Sequence, residues 1–160
     1  MGTRVPEVEW GSVNAHSTSG TLVPTVYFNE ININPEKYFD KVVYSGSHEA
    51  SILSVKAGKI DGASTNDLDF DRGLGSHWKK EDFNIVWTSD LIPGSPMAVR
   101  KDLPDSLKKA IQAAFLSYQD KDGLEKLKIS GFQKANDGLY NGVRQLIAMK
   151  KALKKKIAKN

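Results

Sequence analysis

The chain has 160 residues, of which 39% are hydrophobic and 26% are charged, a balance that excludes wholesale disorder and fits a globular protein. It contains no cysteine, which excludes disulfides, thiolate catalysis and Cys-ligated metal centres. The net charge is +4, and no apolar run reaches the roughly 20 residues that a membrane-spanning helix needs.

The first predicted elements alternate between strand and helix. Residues 4–16 alternate loosely in polarity, which predicts a strand running into a turn. Residues 21–30 have helical spacing, and Pro24 is compatible with that helix only in its first turn. Residues 39–46 then predict a second strand that ends in a glycine.

A βαβ unit is predicted next. Residues 47–59 have helical spacing with Gly58 as a C-terminal stop, and residues 60–64 predict a short buried strand. Strand, helix and strand in this order imply a right-handed crossover and parallel pairing. The alternation predicts an α/β fold for this part of the chain.

The pattern predicts α/β structure through about the first hundred residues and helices after that. Residues 65–80 are punctuated by Asn, Asp and Gly and predict a loop, whereas residues 83–92 predict a strand. Asp105 is the predicted N-cap of an amphipathic helix. The helical segments are residues 105–118, 122–131 and 137–159.

The positive charge is concentrated at the C-terminus. A lysine cluster of this kind forms either the solvated face of a helix or a surface for nucleic acid or acidic membrane. We favour the solvated face, and therefore expect no nucleic-acid partner. The lysines are Lys150, Lys151, Lys154, Lys155, Lys156 and Lys159.

The first candidate site is the segment Ser17-Thr18-Ser19-Gly20, at a predicted strand-to-helix junction. A helix N-terminus exposes N–H groups and about half a positive charge, so hydroxyls beside a glycine there could cradle an anion. An ordinary Ser/Thr N-cap is the alternative.

Two further candidates follow the next strands. His48, in Ser45-Gly46-Ser47-His48-Glu49, could donate to an anion or could be a surface or capping histidine. The loop Ser64-Thr65-Asn66-Asp67 could supply an acid or amide, or could form a plain Asx turn. Because ligands gather outside the carboxyl ends of strands in open α/β sheets, these turns could face one anion.

Other chemistries have no support in the sequence. The metal-binding spacings HxxxH and HExxH, the EF-hand pattern, both nucleotide-binding glycine motifs and the GxSxG nucleophile motif are missing. We therefore expect no metal, no cofactor and no enzymatic activity.

Four segments carry a resemblance to a known family: Ser17–Gly20, Gly46–Ala50, Gly58–Ala63 and Ile92–Pro96. They occur in the order found in the phosphate/phosphite/phosphonate-binding proteins of ABC transporters, and the chain resembles these type II periplasmic solute-binding proteins. That resemblance implies an α/β lobe with a mixed, mostly parallel sheet and flanking helices, followed by C-terminal helices.

The resemblance also implies a set of ligand contacts. Ser17, Thr18 and Ser19 would hold oxyanion oxygens, His48 would add a donor, and Asn66, Asp67 and Ser95 would complete the site. Family members often carry an acid in the IPxxP turn, where this chain has Ser95. A hydroxyl there favours a small oxyanion such as phosphite, phosphate or methylphosphonate over an amine-bearing phosphonate.

The same resemblance implies a division of the chain into three segments. Residues 1–12 would be a crossover strand and residual first-lobe segment, and residues 13–94 the ligand-binding second lobe. Residues 95–160 would be the return crossover and helices that pack on a first lobe missing here. The helix faces left exposed would favour self-association.

The expected function is that of the solute-binding component of an ABC importer, periplasmic or attached to the cell envelope, which delivers a phosphorus oxyanion to a membrane permease. No export signal is recognisable at the start of the chain. The alternatives are a ligand-sensing effector domain of the same fold and a basic-tailed nucleic-acid interaction module.

Overall fold

The computed structural model describes residues 7–157, which form two compact units. The first comprises residues 7–92 and 142–157, and the second comprises residues 93–141. None of the helices in residues 7–157 is long and apolar enough to cross a membrane.

The first unit is built on a three-stranded parallel sheet with strand order β2-β1-β3. Its strands are β1 (Glu9–Ser12), β2 (Lys41–Tyr44) and β3 (Gly62–Ala63). Both β2 and β3 pair with β1, so the predicted βαβ unit straddles the central strand instead of joining direct neighbours. The expected α/β fold, with a parallel sheet, flanking helices and C-terminal helices, is confirmed.

A helix follows each strand. A π-helical turn (Thr18–Leu22) leads into α1 (Val23–Glu30), with Pro24 in the first turn of α1 as predicted. α3 (His48–Lys56) follows β2, and Gly58 (φ 64°) takes the left-handed conformation just beyond it. The first unit also contains α2 (Pro35–Tyr38), α4 (Asp67–Gly73) and, from Gly142 onward, α7 (Asn141–Ile157).

The core of the first unit lies between the sheet and these helices. The Trp10 and Phe39 rings stack with centroids 5.1 Å apart, and Phe28 meets Trp10 edge-on at 5.3 Å. These apolar contacts fix α1 against β1 and thereby position the turn that precedes α1. The buried hydrophobic side chains are Val13, Leu22, Val23, Val26, Phe39, Ile52, Ile60 and Trp78.

Two predictions about residues 65–92 are wrong. Residues 67–73 form α4 instead of a loop, because Asn66 caps the helix and Trp78 is buried against Phe70. Residues 83–92 form no strand: Val86 is 77% exposed and Leu91 94% exposed, and no sheet ladder includes them. Trp87 instead stacks on Tyr27, with ring centroids 4.0 Å apart.

The second unit contains α5 (Asp105–Leu116), α6 (Lys121–Leu127) and a 3-10 turn (Asp137–Tyr140). Pro104 occupies the N-cap position that the sequence assigns to Asp105, and Asp105 pairs with Lys108 at 2.8 Å. The Tyr140 hydroxyl donates to the Gly94 carbonyl at 3.2 Å, next to the exposed Ser95.

Candidate functional site

The candidate site lies at the carboxyl ends of the three strands. Because the strands are parallel, the turns that leave them emerge at one edge of the sheet. Backbone bonds hold these turns together: Ser45 N–H donates to Ser12 O at 2.9 Å, and Ser64 N–H donates to Gly11 O at 3.1 Å. The position of each turn is therefore set by its pairing with β1.

His48 connects the three turns. Its Nε2 lies 3.3 Å from Ser19 Oγ in the turn after β1, and its Nδ1 lies 3.3 Å from Thr65 Oγ1 in the turn after β3. All three side chains are half-buried. The sequence placed Ser19 and His48 among the candidates, whereas it gave Thr65 no individual role.

Ser17 and Thr18 stand at the start of the same helical run as Ser19. Ser17 is the N-cap, and its Oγ accepts a hydrogen bond from Gly20 N–H at 3.0 Å. The capping role considered for this segment is therefore present, and it occupies one acceptor position of the Ser17 hydroxyl. Thr18 is half-buried and opens the π-helical turn.

An open cleft of about 550 Å³ lies beside these residues. Ser17, Ser47, His48 and Asp69 are among the residues that line it. Burial lowers the pKa of His48 below its ordinary value, and the negative charge of Asp69 offsets part of this shift. The cleft thus combines hydroxyls and carboxylates with an imidazole that favours its neutral form.

Asn66 and Asp67 occupy different positions around α4. Asn66 Oδ1 accepts from Asp69 N–H at 2.7 Å, and Asn66 Nδ2 donates to Asp69 Oδ2 at 2.8 Å, so Asn66 caps the helix. Asp67 is exposed and its Oδ1 accepts from Leu68 N–H at 2.9 Å.

Asp69 is a further acid at the cleft, which the sequence analysis did not name. It lines the cleft and also pairs with Arg72 at 2.7 Å. Its signal in the sequence is the spacing Asn66-x-x-Asp69, a cap followed by an acid in the first helical turn.

Serine hydroxyls fix the turn between β2 and α3. Ser45 Oγ lies 2.5 Å from Ser51 Oγ and 3.0 Å from the carbonyl oxygen of Ser47, and Ser51 is fully buried. Ser47 Oγ caps α3 by accepting from Ala50 N–H at 3.0 Å. These bonds fix the start of α3 and hence the backbone of His48.

The described part of the chain offers no set of side chains suited to a metal centre. Within residues 7–157, no group of three or more His, Asp or Glu residues could hold an ion. The side chains that line the cleft offer hydroxyl, imidazole and carboxylate groups for hydrogen bonding.

The chain matches known proteins along most of its length. The family model for the ABC transporter phosphonate periplasmic substrate-binding protein matches residues 4–140. The chain is 33% identical over 150 residues to the phosphonates-binding periplasmic protein of Escherichia coli (strain K12). That alignment covers 90% of this chain and 44% of the relative, so the chain spans less than half of the relative's length. The resemblance read from the sequence motifs is confirmed: this chain belongs to the family of phosphonate periplasmic substrate-binding proteins of ABC transporters.

Proposed function

We propose that this chain contributes the oxyanion-binding lobe of an ABC importer's solute-binding component. The observation that carries the proposal is the position of His48 between Ser19 and Thr65, at the meeting point of three parallel strand ends. Hydrogen-bond donors converge there beside a helix start, which is the environment that an oxyanion needs.

The proposed ligand is a phosphonate, phosphite or phosphate. Its oxygens would accept hydrogen bonds from Ser17, Thr18 and Ser19, while the N-terminal end of the helical run favours negative charge. Neutral donors suit this task because they stabilise an anion without a buried counter-charge. Binding rather than catalysis is the proposed activity.

Three other residues are also proposed to contact the ligand. Asn66 and Asp67 lie at the start of α4, and Ser95 follows Pro93 and Gly94 in the sequence. The family resemblance supports these contacts. As proposed, a hydroxyl at Ser95 favours a small oxyanion over a phosphonate with a cationic substituent.

The proposed setting is the periplasm or the cell envelope, with a membrane permease as the partner that receives the ligand. The name of the Escherichia coli relative supports both the compartment and the ligand class. We also propose that residues 13–94 form the ligand-binding lobe, flanked by residues 1–12 and by a return segment, residues 95–160.

We also propose that the chain self-associates through apolar side chains that the helices after residue 105 leave exposed. Leu107 on α5 is 45% exposed, and Ile147 on α7 is 40% exposed. Apolar surface of this kind favours association between chains or with a further lobe.

A thermal-shift panel tests the proposal. The chain is titrated with phosphite, methylphosphonate, 2-aminoethylphosphonate, phosphate and sulfate. A ligand present at a hundred times its dissociation constant stabilises the folded protein by about 2.7 kcal/mol. We expect a selective rise in melting temperature with a phosphorus oxyanion, which His48→Gln removes. Equal shifts with sulfate, or no shift with any ligand, contradict the proposal.

A further inference from the structure

We infer that Thr65 is a positioning residue, whose hydroxyl donates to His48 Nδ1 and so holds His48 in the tautomer that leaves the Ser19 proton available to the ligand. This inference rests on the proposed function, because it takes Ser19 as a donor to an oxyanion. It adds a role for Thr65 behind the ligand-binding side chains.

The contacts define a three-member chain. Thr65 Oγ1 and His48 Nδ1 are 3.3 Å apart, and His48 Nε2 and Ser19 Oγ are also 3.3 Å apart. A neutral imidazole carries one proton, so one ring nitrogen donates and the other accepts. Each hydroxyl can donate or accept. The two hydrogen bonds can therefore run from Thr65 through His48 to Ser19, or in the opposite direction.

Binding of an oxyanion requires one of these two directions. An ionised oxygen of the oxyanion only accepts hydrogen bonds, so Ser19 must turn its proton toward that oxygen. Ser19 Oγ then accepts from His48, which places the ring proton on Nε2. His48 Nδ1 is left as an acceptor, and the group beside it is the Thr65 hydroxyl, which must therefore donate.

The opposite direction removes the Ser19 donor. If Nδ1 carries the proton, it donates to Thr65, and Nε2 accepts the proton of Ser19. The Ser19 lone pairs would then face the anion and repel it. Thr65 thus affects the ligand through His48 without touching it.

The surroundings support a neutral, oriented ring. His48 is half-buried, and burial disfavours its charged form. The Thr65 side chain is held close to the ring because Ser64 N–H donates to Gly11 O at 3.1 Å and Asn66 caps α4. The loop is thus anchored on both sides of Thr65.

The test is long-range ¹H–¹⁵N NMR of the histidine rings in the ligand-free chain, at a pH well above the ordinary imidazole pKa of about 6.5. The signals of His48 are assigned by their loss in His48→Gln. We expect the Nε2–H tautomer in the parent chain and in Thr65→Ser, and a substantial Nδ1–H population in Thr65→Val. Thr65→Val keeps the branched shape but removes the donor, so it controls for packing.

An Nδ1–H tautomer in the parent chain, or an unchanged tautomer in Thr65→Val, overturns the inference. Methylphosphonate binding supplies a second readout: we expect Thr65→Val to weaken it about 10-fold and Thr65→Ser to restore it. A tautomer that switches without a change in affinity overturns the positioning role. If the parent chain binds no oxyanion, the proposed function fails, while the ligand-free spectra still decide what Thr65 does to His48.

Discussion

Ser19 Oγ and His48 Nε2 lie 3.3 Å apart although 29 positions separate them in the sequence. The contact depends on the parallel pairing of β1 with β2, in which Ser12 is opposite Tyr44. Gly46 N–H extends this pairing by donating to Val13 O at 2.9 Å. The geometry of the site is thus a consequence of strand register, since a slip of one residue would carry His48 away from the helix start.

The two serines of the Ser17–Gly20 segment should differ in their effect on stability. Ser17→Ala removes the N-cap acceptor for Gly20 N–H, so we expect a loss of about 1 kcal/mol in the free energy of unfolding. Ser19→Ala leaves that cap intact and should weaken methylphosphonate binding about tenfold with a smaller effect on folding. Urea denaturation and calorimetric titration measure the two effects. Parent-like affinity in Ser19→Ala would contradict its role as a donor.

Asn66 and Asp67 form a matched pair at the start of α4. Asn66→Ala removes the cap bond to Asp69 N–H and should lower the free energy of unfolding by about 1 kcal/mol. Asp67→Ala changes an exposed side chain, so its effect should stay within about 0.5 kcal/mol. If Asp67 contacts the ligand as proposed, its replacement weakens binding at parent-like stability. Unchanged binding would show that Asp67 does not contact the ligand.

Gly20 is required by close packing against Val13, the residue that follows β1. A Cβ at this position would meet Val13 Cγ2 and would lie 2.7 Å from Val13 Cβ. Gly20→Ala should therefore destabilise the fold by about 1–3 kcal/mol, measured by urea denaturation. Gly142→Ala is the control, because a Cβ there meets nothing within 4 Å. Equal effects of the two substitutions would show that packing against Val13 is not the cause.

The stability of the chain should fall in acid partly through His48. Burial lowers its pKa in the folded state, so below the ordinary value of about 6.5 the unfolded chain binds the proton more readily. The stabilising contribution is complete above that value and is lost as the pH falls through the folded-state pKa. His48→Gln should flatten this part of the stability profile. Urea midpoints across the range test this, and identical profiles for the parent and His48→Gln would contradict it.

Much of the sheet was predictable because its signals are local. β1, β2, α3 and β3 all fall within segments whose spacing and glycines predicted them. The strand predicted at residues 83–92 was wrong because a strand needs a partner, and Ile85 and Val86 are exposed instead of paired. α4 was missed because its polar first turn resembles a loop, although Asn66 and the acids after it are helix-start signals.

The sequence predicted which turns form the candidate site, but not the contacts between their side chains. The rule that ligands gather at strand carboxyl ends identified the turns that bring Ser19 and His48 together. The contact from Thr65 to His48 Nδ1, and the presence of Asp69 in the cleft, depend on the path of the turn and on helix α4. Periodicity carries no information about such side-chain distances.

The central claim is that an oxyanion binds at the helix start beside His48. Backbone ¹H–¹⁵N NMR during a titration with methylphosphonate tests it most directly, because each residue reports separately. We predict saturable shifts in the amide signals of Thr18, Ser19, Gly20 and His48, and their loss in Ser19→Ala. Shifts confined to the lysine-rich part of α7, or no saturable shift at all, would contradict the account.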